Sequence, residues 1–140
     1  GLPLHGQDIN SSTTPHEAGL GFAIAKSRRV GGSKAGGYPG AATIAEQAVH
    51  GTQRRLVGLT SPEAIPIRAG AAIVNERDEQ VGTVTSGTLS PSLGQPVMMA
   101  YIDSAILNFP RPTQLHAQVR SNKPVVNIAK LPFVEKRYKR

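Results

Sequence analysis

The basic motif Lys26-Ser27-Arg28-Arg29 contains the residue types best suited to ligand chemistry in this sequence. It is followed by residues 30–40, a segment with five glycines. A planar guanidinium group can grip a carboxylate through two parallel hydrogen bonds, and a flexible glycine loop beside it leaves room for a ligand. The motif therefore predicts an anion-binding site, and the alternative interpretation is a solvated strand end.

Other kinds of chemistry find little support in the sequence. No two histidines have metal-ligand spacing, so no metal site is expected. No serine lies in a nucleophile elbow, and the run Gly82–Gly94 has no lysine with which to form a phosphate loop. The carboxylates are expected to be structural, with Glu17 in a helix cap and Asp8 in a turn. Hydrolase and nucleotide-binding functions are therefore disfavoured.

The net charge of +7 and the isoelectric point of about 10.3 raise the possibility of a polyanionic partner. The basic residues occur in short separate groups, and the six aromatic residues are scattered, so there is no platform on which bases could stack. We therefore expect no nucleic-acid partner. A basic face that is merely solvated, or one that steers and binds a smaller anion, explains the charge better.

The composition predicts a soluble chain with an aliphatic core. It is 140 residues long and 39% hydrophobic, which is enough for a sizeable core. No apolar run approaches the roughly 20 residues that cross a bilayer, so no membrane association is expected. The absence of cysteine suits a reducing compartment, such as the cytoplasm or an organelle matrix.

The elements that must position the basic motif are short. Thr14-Pro15-His16-Glu17 predicts a capping box at the start of a short helix. The alternation of Leu20, Phe22 and Ile24 with small residues then predicts a strand. Residues 30–40 are expected to form a mobile loop, and Ala41–His50 a helix that ends at a Gly51 cap.

From Gln53 onward the pattern changes to short β-rich runs separated by turns. In the run Gly82–Gly94, Thr83 and Thr85 are expected on one strand face and Val84 and Ser86 on the other, with Gly87, Pro91 and Gly94 in the exit to the next strand. The predicted strands are Arg55–Thr60, Ala71–Asn75, Gln80–Ser86, Val97–Ile102, Gln114–Val119 and Val125–Ile128. Six strands at this spacing favour a closed antiparallel barrel, because closure removes exposed edges.

Several motifs occur together in a fixed order along the chain. They are Leu4-His5-Gly6, Thr13–Leu20, Tyr38-Pro39-Gly40, Gly82–Gly94 and Leu131-Pro132-Phe133-Val134. In this order and spacing the chain resembles, over essentially all of its 140 residues, the C-terminal portion of the T-proteins of the glycine cleavage system. The folate domains of sarcosine and dimethylglycine dehydrogenases share the same parts.

The resemblance implies an α+β, predominantly β fold. Residues 1–51 would be the end of a mixed α/β, folate-binding lobe, and residues 52–140 a C-terminal antiparallel six-stranded β-barrel. It also implies a fragment, in which the catalytic aspartate lies in an N-terminal portion of the same protein outside these residues. By itself the chain is then expected to be inactive.

The implied function is a tetrahydrofolate-dependent aminomethyltransferase whose partner is the lipoylated H-protein, without a metal. The alternatives are a non-catalytic docking module for folate and the H-protein, and the folate lobe of a demethylating dehydrogenase. The expected location is the bacterial cytoplasm, or the mitochondrial matrix in a eukaryote.

The resemblance also implies which residues contact folate. Counting from Leu4-His5-Gly6 places the family's folate-binding arginine at Arg28, with Arg29 as the register alternative. The segment between these arginines and Tyr38 is several residues longer than the family's, which leaves open which arginine faces the ligand. Tyr138 matches a second family position near the ligand, and its alternative is a tyrosine in a frayed tail.

Overall fold

The dominant feature of the fold is a closed barrel of six strands. The computed structural model of this chain describes residues 1–110 and 113–135. Its strands are β1 (Arg54–Thr60), β2 (Ala72–Val74), β3 (Gln80–Ser90), β4 (Gln95–Asp103), β5 (Leu115–Ala117) and β6 (Val125–Ala129). They pair in the order β1-β4-β3-β2-β5-β6, every pair is antiparallel, and β6 returns to β1. The six-stranded antiparallel barrel is therefore confirmed.

The barrel is filled by aliphatic side chains, as the composition predicts. Leu59, Ile73, Ala100, Ile102 and Ala117 are all inaccessible to solvent and belong to one hydrophobic cluster. Close packing of such side chains provides most of the stabilisation in a small barrel. The core of the molecule therefore lies inside the barrel.

Strand β4 is buried on both faces, whereas antiparallel strands commonly leave one face exposed to solvent. Its residues Met98, Ala100 and Ile102 point into the core. Of the alternate residues on the outer face, Tyr101 donates a hydrogen bond of 3.0 Å to the carbonyl oxygen of Asp8. The N-terminal segment thus packs across the outside of the barrel at β4.

Strand β3 differs from its prediction, because it runs through Gly87 and ends at Ser90 instead of Ser86. Gly87 pairs with Met98 inside the ladder, whereas Pro91 and Gly94, the latter with φ of 65°, lie in the following turn as expected. The register shifts between Val84 and Ser86, so Thr85 forms a bulge that breaks the simple alternation of faces. The prediction that Gly87 ends the strand was wrong.

The segment before the barrel contains little regular structure. Two short 3-10 helices cover Gly21–Ala23 and Lys26–Arg28, and helix α1 covers Ala41–His50. The predicted strand around Leu20–Ile24 was wrong, because the backbone there forms local i to i+3 hydrogen bonds and pairs with no other strand among the described residues. A strand needs a neighbour, which alternation in sequence cannot supply.

The residues that predicted the ends of helix α1 and the capping box at Thr14 were interpreted correctly. Helix α1 has the predicted bounds, and the amide of Gly51, with φ of 81°, donates to the carbonyl oxygen of Gln47. The capping box is also present, since Thr14 N–H donates to Glu17 Oε2 and Glu17 N–H donates to Thr14 Oγ1. It closes a single hydrogen-bonded turn, without a continuing helix.

Few side chains in residues 1–53 are buried. Only Asp8 and Ala18 are buried in this stretch, and helix α1 buries no side chain. Residues 30–40 contain neither helix nor strand, while their mobility stays a prediction. The boundary placed between residues 51 and 52 also stays a prediction.

A second short helix, α2 (Ser104–Leu107), follows β4. In the described part of the chain no helix is long and apolar enough to cross a membrane.

Candidate functional site

A cavity of about 320 Å³ lies between the 3-10 helices, the glycine-rich loop and helix α1. One wall is apolar and comes from α1, where Ala41, Ile44, Ala45 and Ala48 face the cavity. These positions follow the i, i+3, i+4, i+7 spacing of one helix face. The helix therefore presents a continuous apolar surface to any molecule in the cavity.

The two arginines of the basic motif line the same cavity. The Nη1 group of Arg28 donates to the carbonyl oxygen of Gly36 at 3.1 Å and approaches that of Lys34 at 3.5 Å. The backbone follows the same course, since the amide of Gly36 donates to the carbonyl oxygen of Arg28. The glycine-rich loop thus folds back over Arg28.

Arg29 holds a different part of the backbone. Its Nε group donates to the carbonyl oxygen of Ile24 at 2.8 Å, and its Nη2 group to that of Phe22 at 3.2 Å. These bonds satisfy carbonyl groups around the first 3-10 helix, which this short helix leaves without partners of its own. Each guanidinium has five N–H donors, so both arginines keep donors beyond these bonds.

The cavity also contains two residues that sequence reasoning did not select as site residues, His16 and Tyr38. Tyr38 belongs to the Tyr38-Pro39-Gly40 motif, which was used only to recognise the family, and its position directly before α1 was the available signal. His16 lies in the capping turn, where its sequence context points only to a structural role. Tyr138, the third predicted folate contact, lies outside the described residues.

A larger and more polar cleft, of about 620 Å³, separates residues 7–13 from the barrel. The side chains here contact each other. Arg54 lies 4.5 Å above the Tyr101 ring and donates through Nε to Glu17 Oε1 at 3.0 Å. Asp8 accepts the hydroxyl of Thr85 at 2.6 Å and the amide of Leu4 at 2.9 Å. The structural roles expected for Glu17 and Asp8 are thus observed. We call this set of polar contacts the joint, because it connects the N-terminal segment to the barrel.

The buried position of Tyr101 affects its ionisation. Desolvation raises the pKa of this phenol above its ordinary value of 10.0, while Arg54 and Thr13 act in the opposite direction. The phenol therefore stays neutral at physiological pH and serves as a hydrogen-bond donor. Within residues 1–110 and 113–135, no three His, Cys, Asp or Glu side chains lie together as a metal centre would require.

Comparison with known proteins decides the family. Residues 54–135 match the family model described as the glycine cleavage T-protein C-terminal barrel domain, which covers more than half of the chain. The chain belongs to this T-protein family. A solved structure titled glycine cleavage system aminomethyltransferase T, from Bartonella henselae, superposes on 99% of this chain with a TM-score of 0.84 and 36% identity. The match covers 37% of that chain.

Curated relatives of this T-protein family member are named aminomethyltransferases. The mitochondrial enzyme of Gallus gallus is 45% identical over 99% of this chain, and that of Homo sapiens is 40% identical over 99%. A Nostoc aminomethyltransferase is 36% identical over 94%. The matches cover 33%, 32% and 33% of those proteins, so the chain spans about a third of the length of the curated relatives it matches.

Proposed function

We propose that this chain is the C-terminal part of a tetrahydrofolate-dependent aminomethyltransferase of the glycine cleavage system. The observation that carries the proposal is the family match over the barrel, together with relatives named aminomethyltransferase that match nearly the whole chain. These relatives favour the transferase over the folate lobe of a sarcosine or dimethylglycine dehydrogenase. The proposed location is the bacterial cytoplasm or the mitochondrial matrix, since Nostoc and mitochondrial relatives both match.

The proposed reaction takes the aminomethyl group from the lipoyl arm of the H-protein. The methylene carbon breaks its bonds to the lipoyl sulfur and to its amine nitrogen, and it bonds to the two nitrogens of tetrahydrofolate that close the new ring. The two protons that these nitrogens lose go to the sulfur and to the departing amine. The products are methylenetetrahydrofolate, ammonia and the dihydrolipoyl H-protein. The proposed catalytic aspartate lies in a preceding portion of the protein, so this chain contributes ligand binding and orientation, which lower the barrier without a covalent enzyme intermediate.

The cavity between helix α1, the 3-10 helices and the glycine-rich loop, called here the α1 cavity, supports the folate-binding part of the proposal. Its volume of about 320 Å³ is at the lower end of typical ligand pockets, so it fits part of a folate molecule and leaves the remainder outside. The apolar face of α1 suits a flat ring. Arg28 and Arg29 place two positive charges at the same cavity, which suits the carboxylates of a glutamate tail.

Reconstitution from two polypeptides tests the proposed function. The 140-residue chain would be mixed with the N-terminal two-thirds of the Gallus gallus enzyme, aminomethylated H-protein and tetrahydrofolate. We expect ammonia release from the mixture and none from the chain alone, because the proposed aspartate is in the added polypeptide. Turnover by the chain alone would contradict the assignment of the aspartate. A complex that assembles yet neither binds tetrahydrofolate nor releases ammonia would refute the function.

A further inference from the structure

Residues 30–37 of the glycine-rich loop close over the basic motif, and we call this stretch the flap. Two of its amides bond to the backbone of the motif. The amide of Lys34 donates to the carbonyl oxygen of Ser27 at 2.9 Å, and the amide of Gly36 to that of Arg28 at 3.1 Å. The flap therefore has a defined closed conformation, although it contains neither helix nor strand.

The closed flap brings Gly37 against the side chain of Arg28. A Cβ atom at Gly37, where φ is 74°, would lie 2.8 Å from Arg28 Nη1. Gly31 at the other end of the flap has nearly the same φ, 77°, but a Cβ atom there would have nothing within 4 Å. A methyl group at position 37 would therefore displace the guanidinium, whereas one at position 31 would contact nothing.

Arg28 holds the flap with one of its terminal nitrogens. The Nη1 group donates to the carbonyl oxygens of Gly36 and Lys34. In the part of the chain that the structure describes, Arg28 Nε and Nη2 have no hydrogen-bond partner. These two groups form the side edge of the guanidinium, which can bind a carboxylate through two parallel hydrogen bonds.

Arg29 lines the same cavity but has no free side edge. Its Nε group donates to the carbonyl oxygen of Ile24, and its Nη2 group to that of Phe22. Arg29 also makes no side-chain bond to the flap among the described residues. Arg28 is therefore the arginine that can contact a carboxylate and the flap at the same time.

We propose that a carboxylate bound on the side edge of Arg28 locks the flap in its closed conformation. The guanidinium is planar and rigid, so a ligand that fixes Nε and Nη2 also fixes Nη1 against the carbonyl oxygen of Gly36. Binding and closure share one side chain, and linkage then makes each favour the other. Because Val30, Ala35 and Gly36 line the α1 cavity, the locked flap is also a fixed cavity wall. The lock goes beyond the proposed function, since it needs a carboxylate but not folate.

Amide hydrogen exchange, measured by NMR on the whole 140-residue chain, tests the lock. The amides of Lys34 and Gly36 are hydrogen-bonded in the closed flap and exchange when it opens. The probe is sodium glutarate at about ten times its dissociation constant, with sodium chloride at equal ionic strength as the reference. We expect both amides to exchange at least about fivefold more slowly with glutarate. The barrel amide of Gly70, which donates to Val84, is the control and should not change.

A matched pair of glycine variants tests whether Arg28 transmits the effect. Gly37→Ala should reduce the slowing by glutarate to less than about twofold, because the methyl group moves Nη1 away from the flap. Gly31→Ala carries the same left-handed backbone strain without that contact, so it should keep the slowing of about fivefold or more. Arg28→Lys keeps the charge but lacks the planar fork, and it should also lose the slowing.

Each contrary result has a definite meaning. Unchanged or faster exchange of Lys34 and Gly36 in glutarate overturns the lock, as does a failure of glutarate to bind. Equal loss of the slowing in Gly37→Ala and Gly31→Ala, or its persistence in Arg28→Lys, removes Arg28 from the device and overturns the proposal. Slowing by glutarate in a chain whose two-polypeptide complex binds no tetrahydrofolate upholds the lock and refutes the proposed function.

Discussion

Arg28 and Arg29 are neighbours in sequence, yet they hold different segments of the backbone. Arg28 binds the carbonyl oxygen of Gly36 in the glycine-rich loop, whereas Arg29 binds those of Ile24 and Phe22. Both side chains are thereby held at the cavity before any ligand arrives. Preorganised donors bind an anion with a smaller loss of side-chain entropy than free ones do.

Replacing Arg28 by alanine should weaken folate binding without unfolding the protein. We expect the dissociation constant for tetrahydrofolate, measured by calorimetry in the two-polypeptide complex, to rise about tenfold, or about 1.4 kcal/mol. Arg68→Ala is the matched control, because it removes the same charge from the barrel, where Arg68 binds the carbonyl oxygen of Gly87. An unchanged constant for Arg28→Ala, with a raised one for Arg29→Ala, would move the assignment to Arg29.

Gly87 in strand β3 lies so close to neighbouring atoms that a side chain there would clash with them. A Cβ atom here would lie 2.1 Å from the carbonyl oxygen of Ile67 and 3.1 Å from Met98 Cγ. We expect Gly87→Ala to lower the free energy of unfolding by about 2 kcal/mol, because buried backbone must move to accommodate the methyl group. Urea denaturation measures this, and Ser86→Ala on the same strand should change it by less than about 0.5 kcal/mol. Equal effects of the two changes would contradict the packing explanation.

At the level of elements, the N-terminal segment and the barrel are joined at β4. Tyr101 on the outer face of this strand donates to the carbonyl oxygen of Asp8, and Asp8 accepts the hydroxyl of Thr85 from the β3 bulge. Beside them, Arg54 at the start of β1 pairs with Glu17, whose side chain is 12% exposed. The joint therefore consists of specific polar contacts, while the barrel interior is apolar.

The joint should make stability depend on pH in the alkaline range. Since burial raises the pKa of Tyr101 above 10.0, folding favours the neutral phenol. This contribution is fully present below about pH 10 and is lost as the pH rises through the folded-state pKa. We expect Tyr101→Phe to lower the free energy of unfolding by about 1 kcal/mol at neutral pH, because the hydrogen bond to Asp8 is lost.

The decline in the free energy of unfolding above pH 10 should then be shallower in Tyr101→Phe than in the unmodified chain. The comparison requires urea denaturation at several pH values for both proteins, since other groups titrate in each. Identical slopes above pH 10 would show that Tyr101 does not ionise more easily on unfolding. If the difference in the free energy of unfolding between the two proteins grew above pH 10, the predicted direction of the pH dependence would be wrong.

On the scale of the whole molecule, burial is distributed unevenly. The barrel contains the buried hydrophobic cluster, whereas residues 1–53 bury only Asp8 and Ala18. The cavity that holds Arg28 and Arg29 lies in this lightly buried segment. The proposed ligand binding therefore falls on the part of the chain that has the least packing of its own.

Features set by local interactions were predictable from the sequence. Helix α1 begins and ends where its helix-forming residues and Gly51 indicate, and the Thr14–Glu17 capping box forms its two reciprocal hydrogen bonds. Hydrophobic alternation and turn residues predicted six strands and a closed barrel. The ordered motifs also predicted the family, and the basic motif predicted two arginines that the structure brings to one cavity.

Only the tertiary structure decided the features that depend on distant neighbours. Leu20–Ile24 alternates like a strand but finds no pairing partner, and β3 continues through Gly87 because β4 pairs with it there. His16 and Tyr38 are far apart in sequence, yet both line the cavity that Arg28 and the glycine-rich loop also line. A sequence alone determines the preferences of each short segment, whereas pairing, burial and cavities depend on which segments meet in space.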